Sequence, residues 1–573
     1  MNPLVSDRFV DHLLSRVLDL DALFRLPRFA ELGVDSVKPW MESCRRVARD
    51  VLFPSYRAID TEPPKFSGGR ITVHPQMHGA WRALRELDVI EATHALPLSV
   101  TTLSSAYLMA GNLSAYGYAG LTAGAAHLIE AFGSEELKAT YLAKMRSGEW
   151  TGTMALTEPH AGSSLGDLTT RATPTAQGHY LIRGAKIFIS AGDHDLASNV
   201  VHLTLARIEG GPPGTKGISL FAVPRVRPDG AFNDVHVTGA IHKIGWRGLP
   251  SLALAFGEEN ACHGWLVGAP HQGLRCMFQM MNEARIMVGV NGAATASVAF
   301  HESLAYAKER KQGRALGVTD PSVPQVPLTE HPDVRRMLLR QKAIVEGSLA
   351  LLAITSRFAD EAAWGTDDDA KARAKLVLDL LTPIAKTFPA ERGFESNALA
   401  LQLHGGNGYS SEYLPEAWLR DQKLNTIHEG TTTIQGLDLL GRKVVAGGGA
   451  ALGALVELIE ADCAKAKEDV QALRDAVQVL VSVTSSLGAF GLEGDLEGML
   501  GHSADFMEAM SAIVVAWAWV RVTNALEGDD DFARGLRAAA RYWRVTELPK
   551  AVVALRLCES RERSYLDVRA DWL

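Results

Sequence analysis

The chain has 573 residues, 58 Lys+Arg against 66 Asp+Glu for a formal net charge of -8, and 47% hydrophobic with 22% charged residues. A chain of this size buries a large core and divides into several domains, and its ordinary charge content excludes a wholly disordered polymer. The acidic balance gives no general reason for polyanion binding, so nucleic acid is not expected as a partner.

The 5 cysteines, Cys44, Cys262, Cys276, Cys463 and Cys558, lack the C-x-x-C spacing of a zinc or dithiol site. They read as reduced thiols of a cytoplasmic protein. Asp7, Asp11 and Asp19 stand where a signal peptide needs a basic start and an apolar stretch. The longest apolar run, Ala509 to Val520, is shorter than the ~20 residues that cross a bilayer, so it reads as a buried helix and no membrane span is expected.

Residues 1–150 carry helical periodicity, as in Phe9, Leu13, Leu14, Val17 and Leu18, punctuated at Pro54, Pro63, Pro64 and Gly68-Gly69. Over 151–268 the texture changes to dense glycine and proline with β-rich runs at Tyr180 to Ser190, Val200 to Ile208, Ile218 to Val223 and Leu252 to Phe256. Helical spacing returns over 269–445, interrupted by a loop with Pro321, Pro324 and Pro327. Gly447-Gly448-Gly449 then opens an Ala/Leu/Val-rich helical stretch, 446–573. The expected fold is mainly α with a central β domain. A basic excess between Arg534 and Arg569 reads as a solvated or subunit-facing helix surface.

No G-x-x-x-x-G-K-[ST] or G-x-G-x-x-G spacing is present, and His428-Glu429-Gly430-Thr431-Thr432 lacks the second histidine of a metalloprotease helix. His404 has no partner at metal spacing and reads as a turn-shaping residue, so no metal is expected. The segment Leu156-Thr157-Glu158-Pro159-His160-Ala161-Gly162-Ser163 is a strand exit followed by hydroxyl-bearing and turn-forming residues, suited to expose N–H groups and hydroxyls to a ligand.

That segment, extended back to Met154, is followed by Asn282-Glu283-Ala284-Arg285, by Gln402-Leu403-His404-Gly405-Gly406-Asn407-Gly408-Tyr409 and by Ile427 to Gln435. In these four motifs, in this order, the chain resembles the acyl-CoA dehydrogenase family up to about Val444. Its C-terminal extension is similar to that of the family's long-form branch. The resemblance implies a helical N-terminal domain, a β-barrel middle domain, a helical bundle and an appended helical domain around FAD. It also implies an acyl-CoA substrate, electron-transfer flavoprotein as electron acceptor, a place in fatty acid β-oxidation, and a homodimer or tetramer that shares FAD between protomers.

Carried onto this sequence, the resemblance makes Glu429 the base that takes the α-proton of the thioester. Thr432 with Gln435 also reads as the capping box of a helix carrying Ile434, Leu437 and Leu440. Leu156, Thr157 and Ser163 would approach the flavin, with Ser163 also near CoA, and Phe188 and Ser190 would cover the ring. Arg310 and Gln312 would reach the FAD pyrophosphate of a neighbouring subunit, where an arginine fork suits phosphate. Gln402 and Gly406 would touch the same cofactor, Thr431 would meet FAD beside Glu429, and Asn282, Arg285 and Gly430 would contact the acyl-CoA.

Some relatives carry the base just before the arginine of the second motif. Here that position is Ala284, and Glu283, a helical step of ~100° away, reads as an ion-pairing residue and only a weak rival. Departures from the family pattern are His428 for the usual Tyr, Thr433, and the Phe188/Ser190 pair. Two alternatives stay open: an oxygen-using oxidase or monooxygenase on the same scaffold, and a flavoprotein that binds nucleic acid through the basic C-terminal region.

Overall fold

The computed structural model describes residues 2–573, save the side chains of 278–282. The chain forms two compact units: Lys38–Pro97 with Tyr107–Ala284, and Met1–Val37, Leu98–Ala106 and Arg285–Leu573.

The unit that includes Tyr107–Ala284 holds the described strands: β1 (Lys65–Ser67), β2 (Arg70–Thr72), β3 (Trp150–Ala155), β4 (Arg171–Pro174), β5 (Tyr180–Ser190), β6 (Asn199–Ile208), β7 (Ile218–Pro224), β8 (Val235–Ala240), β9 (Ser251–Phe256) and β10 (His263–Val267). β1 and β2 make a separate hairpin turned by Gly68 and Gly69, both at positive φ, within a stretch expected to be helical. The remaining strands run in the order β10-β7-β6-β4-β5-β9-β8, with β3 parallel to β6. β10 also pairs with β5, which closes β10, β7, β6, β4 and β5 into a ring.

β6 and β7 are buried on both faces, which explains their nearly unbroken apolar sequences. Val201, Leu203, Leu205, Ile218 and Leu220 face a core shared with Leu128, Ile129 and Tyr141 of helices. Their alternates Ala206, Phe221 and Val223 pack with Ile182, Leu252, Leu254 and Phe256. The period of two along each strand thus divides one sheet between two cores.

The other unit is helical. Pro332–Trp364 and Asp368–Leu403 form a hairpin, with Gly365 at the first helix end and the Asp367 carboxylate accepting from Ala370 N at 2.7 Å. Helix Gly273–Glu309 meets Asp368–Leu403 at close range: a Cβ on Gly289 would sit 2.1 Å from Ala385 O, and one on Gly292 2.6 Å from Pro389 O. The helix containing the Ala509 to Val520 run extends over Ser503–Asn524, and its middle is sealed in the core, with Trp517 and Trp519.

Two helical stretches, Gln471–Leu492 and Leu496–Asn524, are nevertheless long and apolar enough to cross a membrane by length and composition. The second stretch outruns Ala509 to Val520 because an averaged hydropathy tolerates Glu508 and Arg521, the charged residues that bound that run, as the first tolerates its Ser, Thr and Gly. In the second stretch 83% of the apolar window is buried inside the protein, and in the first 33%. All five cysteines are buried, and none of them forms a disulfide.

Candidate active site

The segment Ile427 to Thr431 links a turn, Leu424–Thr426, to helix Thr432–Asp438. Two consecutive residues in it are left-handed, Glu429 at φ 53° and Gly430 at φ 88°. Glycine adopts this at no steric cost, whereas for glutamate it is unfavourable by ~1–2 kcal/mol and must be held by the surroundings. Three side chains hold it. Lys386 Nζ donates to Gly430 O at 2.8 Å, Gln435 Nε2 donates to Glu429 O at 2.9 Å, and Thr432 Oγ1 donates to the Glu391 carboxylate.

The capping box differs from expectation. The N-cap is Thr431, whose Oγ1 accepts from Ile434 N at 3.4 Å, and the helix starts one residue earlier than the sequence pattern places it. The Gln435 side chain bonds the carbonyls of the left-handed residues instead of reaching back to the cap. Ile434 and Leu437 remain partly exposed, while Leu440 is buried. Helix Thr432–Asp438 leans on the C-terminal stretch through Gly436, where a Cβ would lie 2.6 Å from Ser503 O.

Glu429 is exposed, though the protein gathered around it displaces part of its water. The loss of water around it raises its pKa, with Arg285 and then Lys386 pulling the other way. Arg285 is buried, and its Nη1 donates to Asp438 Oδ2 at 2.8 Å, while Arg442 Nε donates to Asp438 Oδ1 at 2.7 Å. Burial lowers Lys386 to about 8, against the attraction of Glu391 and Glu429. Glu429 is thus attracted by two cations, of which Arg285 is paired with Asp438 and Lys386 is also attracted by Glu391. Lys386, Glu391 and Asp438 were not singled out from sequence, although Lys386 is the one charged residue between Leu380 and Pro389, a signal open to reading.

Glu283 forms an ion pair with His127 at 3.2 Å, in keeping with its expected ion-pairing role. Asn282 lies outside the described residues. His404 stacks on Tyr306 at 4.3 Å and its Nδ1 bonds Ala400 O at 2.8 Å. Among the described residues no three metal-ligating side chains cluster.

In the β unit, Leu156 O accepts from Lys186 Nζ at 3.0 Å and Thr157 O from Ile187 N at 2.9 Å, which pins the strand exit to β5. Glu158 turns inward, bonded to Lys186 Nζ and to the Thr169 and Thr170 groups. Burial opposes its ionisation, but Lys186 and these donors outweigh that and hold the carboxyl at about 2. From the sequence alone Glu158 reads only as part of a turn-forming loop.

Ser163 stays exposed on the loop, and Ser190 O accepts from Thr153 Oγ1. Phe188 sits at a register shift between β5 and β9, left-handed at φ 61° and 60% exposed. That bulge breaks the alternation expected for a plain strand and turns an aromatic face outward. A flat exposed aromatic beside hydroxyl-bearing residues fits a planar heteroaromatic ring such as a flavin.

Arg310 and Gln312 follow the end of helix Gly273–Glu309 and are exposed. Their backbones are held by Leu328 N on Arg310 O at 2.9 Å and by Gln312 N on Val326 O at 3.0 Å. Gln402 and Gly406 are exposed as well, with no atom of the chain within 4 Å of where a Cβ on Gly406 would lie. The basic C-terminal residues are largely matched by acids: Arg534 and Arg537 with Asp529, Arg544 with Glu468, Arg561 with Glu493, and Arg563 with Asp495.

Family models described as the acyl-CoA dehydrogenase middle domain, the acyl-CoA dehydrogenase C-terminal domain and an acetyl-CoA dehydrogenase C-terminal-like domain match residues 153–258, 271–444 and 455–569. A 3-methylmercaptopropionyl-CoA dehydrogenase of Ruegeria pomeroyi is 36% identical over 89% of this chain and 88% of its own. A broad-specificity linear acyl-CoA dehydrogenase of Mycobacterium tuberculosis is 32% identical over 97% of both chains. An acyl-CoA dehydrogenase from Bacillus anthracis solved with FAD has the same fold, with a TM-score of 0.74 at 19% identity over 98% of this chain and 93% of that one.

Proposed function

The chain belongs to the acyl-CoA dehydrogenase family, and from that premise we propose that Glu429 is the base with which it dehydrogenates an acyl-CoA thioester to the 2-enoyl-CoA. It is an FAD-dependent oxidoreductase of acyl-CoA metabolism.

The observation that carries the assignment is the left-handed, clamped Glu429, its carboxylate attracted by Arg285 and Lys386. A C–H next to a thioester carbonyl is a poor acid, so the base must be ionised, fixed and free of competing water. Arg285 and Lys386 favour the ionised carboxylate, and a bound acyl-CoA would displace the water that reaches this exposed residue and so keep it basic enough to accept the proton. Bound FAD supplies the hydride acceptor for the β carbon. Leu156, Thr157, Ser163, Phe188, Ser190 and Thr431 would hold its ring, and Arg310, Gln312, Gln402 and Gly406 would serve the cofactor of a second protomer. Ser163, Asn282, Arg285 and Gly430 would contact the acyl-CoA. Electrons would leave to an electron-transfer flavoprotein.

The test is anaerobic flavin bleaching of the FAD-loaded protein by short, long, branched and thioether-containing acyl-CoAs. Bleaching by one group is expected. No bleaching across the panel, with flavin still reducible by dithionite, would overturn the proposal, and rapid reoxidation by oxygen would favour an oxidase instead.

A further inference from the structure

We propose that Lys386 is the positioning residue of the base loop: its ammonium, hydrogen-bonded to the Gly430 carbonyl, fixes the left-handed turn that presents Glu429 and brings a positive charge to the residue next to that base. This rests on the reading of Glu429 as the base.

The ammonium is out of contact with solvent at 0% exposure, in an apolar stretch of helix Asp368–Leu403. Burying a cation costs several kcal/mol unless it is compensated, so a lysine here needs partners. Its partners are all at the site. Gly430 O accepts from it at 2.8 Å, while Glu391 from its own helix and Glu429 from the loop attract it. Arg285 from helix Gly273–Glu309 opposes it, with Asp438 of helix Thr432–Asp438 paired to that arginine. Gln435 also grips the loop, through Glu429 O at 2.9 Å, but carries no charge. Lys386 alone among the loop's three side-chain anchors joins backbone restraint to positive charge.

Two pH limbs follow. The acid limb belongs to Glu429, whose ionisation Lys386 assists. The alkaline limb belongs to Lys386, which burial brings down to about 8, so that above this value the loop loses its charge-assisted bond and Glu429 loses a cation. Glu391→Gln preserves an acceptor for Thr432 but removes the acid that sustains the lysine's charge, so the alkaline limb should move to lower pH.

The experiment uses the FAD-loaded protein and its Lys386→Met, Lys386→Arg, Glu391→Gln and Glu429→Gln variants, with flavin content and Tm as folding controls. Infrared difference spectra, with the Glu429 carboxyl band identified through its loss in Glu429→Gln, follow the titration of Glu429 without substrate. Anaerobic bleaching rates across pH are measured in parallel. In Lys386→Met the Glu429 titration and the acid limb should rise by about one pH unit, a slowing of about tenfold on that limb with acyl-CoA affinity little changed. Lys386→Arg should restore most of the titration.

An unchanged Glu429 titration and bleaching profile in flavin-loaded Lys386→Met would overturn the proposal. Should that variant fail to fold, an unmoved alkaline limb in Glu391→Gln would do the same. Wild-type bleaching in Glu429→Gln would remove the base assignment, while the infrared titration would still decide whether Lys386 governs that carboxyl.

Discussion

Lys186 Nζ donates to the Glu158 carboxylate at 2.9 Å, with both side chains sealed from solvent. The pair ties the strand exit Leu156–Thr157 to β5, which carries Phe188 two residues beyond Lys186. Removing one member leaves a buried charge unpaired, so Lys186→Met should cost about 3–5 kcal/mol in urea unfolding. The double change Lys186→Met with Glu158→Gln should recover much of that loss. Equal losses in the single and double variants would sink the account. Glu158 has a folded pKa below its unfolded value, so the stabilisation is complete above about 4.5 and is lost as pH falls towards 2.

Glu429 and Glu283 differ in their surroundings, and their variants should differ accordingly. Glu429→Gln should keep FAD and bind acyl-CoA while bleaching slows by about 10²–10⁴-fold, the usual worth of a general base. Glu283→Gln removes only a half-exposed pair with His127, worth about 0–1 kcal/mol, and should leave bleaching nearly normal. Stopped-flow bleaching compares the two, and equal loss would contradict the assignment.

Asp360 accepts from Leu98 N at 2.7 Å, Ser99 N at 3.0 Å and Ser99 Oγ at 2.7 Å, capping helix Leu98–Phe132 from a neighbouring helix. Burial lifts its pKa from 3.8 to about 6 against these donors and Arg357. Between those values the folded state binds a proton that the unfolded chain does not, so this group favours folding as pH falls through the window and opposes it above 6. Asp360→Asn does not titrate, although its amide NH2 must meet one of these donors, so its stability relative to the parent should improve by about 1–2 kcal/mol between pH 5 and pH 7.5, read by urea unfolding. A shift of the same size at both pH values would refute this.

The acids matched to the C-terminal arginines leave little net positive field there. Fluorescence anisotropy of a labelled DNA duplex at low salt should register no binding, with or without charge reversal at Arg537, Arg541 and Arg544. Salt-sensitive binding abolished by the reversal would revive a nucleic-acid role.

Long, regular elements were legible in the chain because their periodicity is local. β5 runs over the expected Tyr180–Ser190, β6, β7 and β9 differ from expectation by one residue at an end, and the apolar run Ala509 to Val520 is indeed buried. The hairpin β1–β2 and the strand β4 were not, since three or four residues are too few to set a period. β10 was missed for a different reason: it is specified by pairing with β7 and β5, which lie far away in sequence.

The same division runs through the site. Residue order and motif chemistry were enough to name the family and FAD and to single out Glu429 as the base proposed here, because those motifs are contiguous. The left-handed turn at Glu429, the N-cap at Thr431, and the convergence of Lys386, Arg285 and Asp438 around the base loop were decided by packing. Those groups come from three separate helices, and a hydrogen bond or a Coulomb attraction acts on distance in space, which spacing along the chain does not encode.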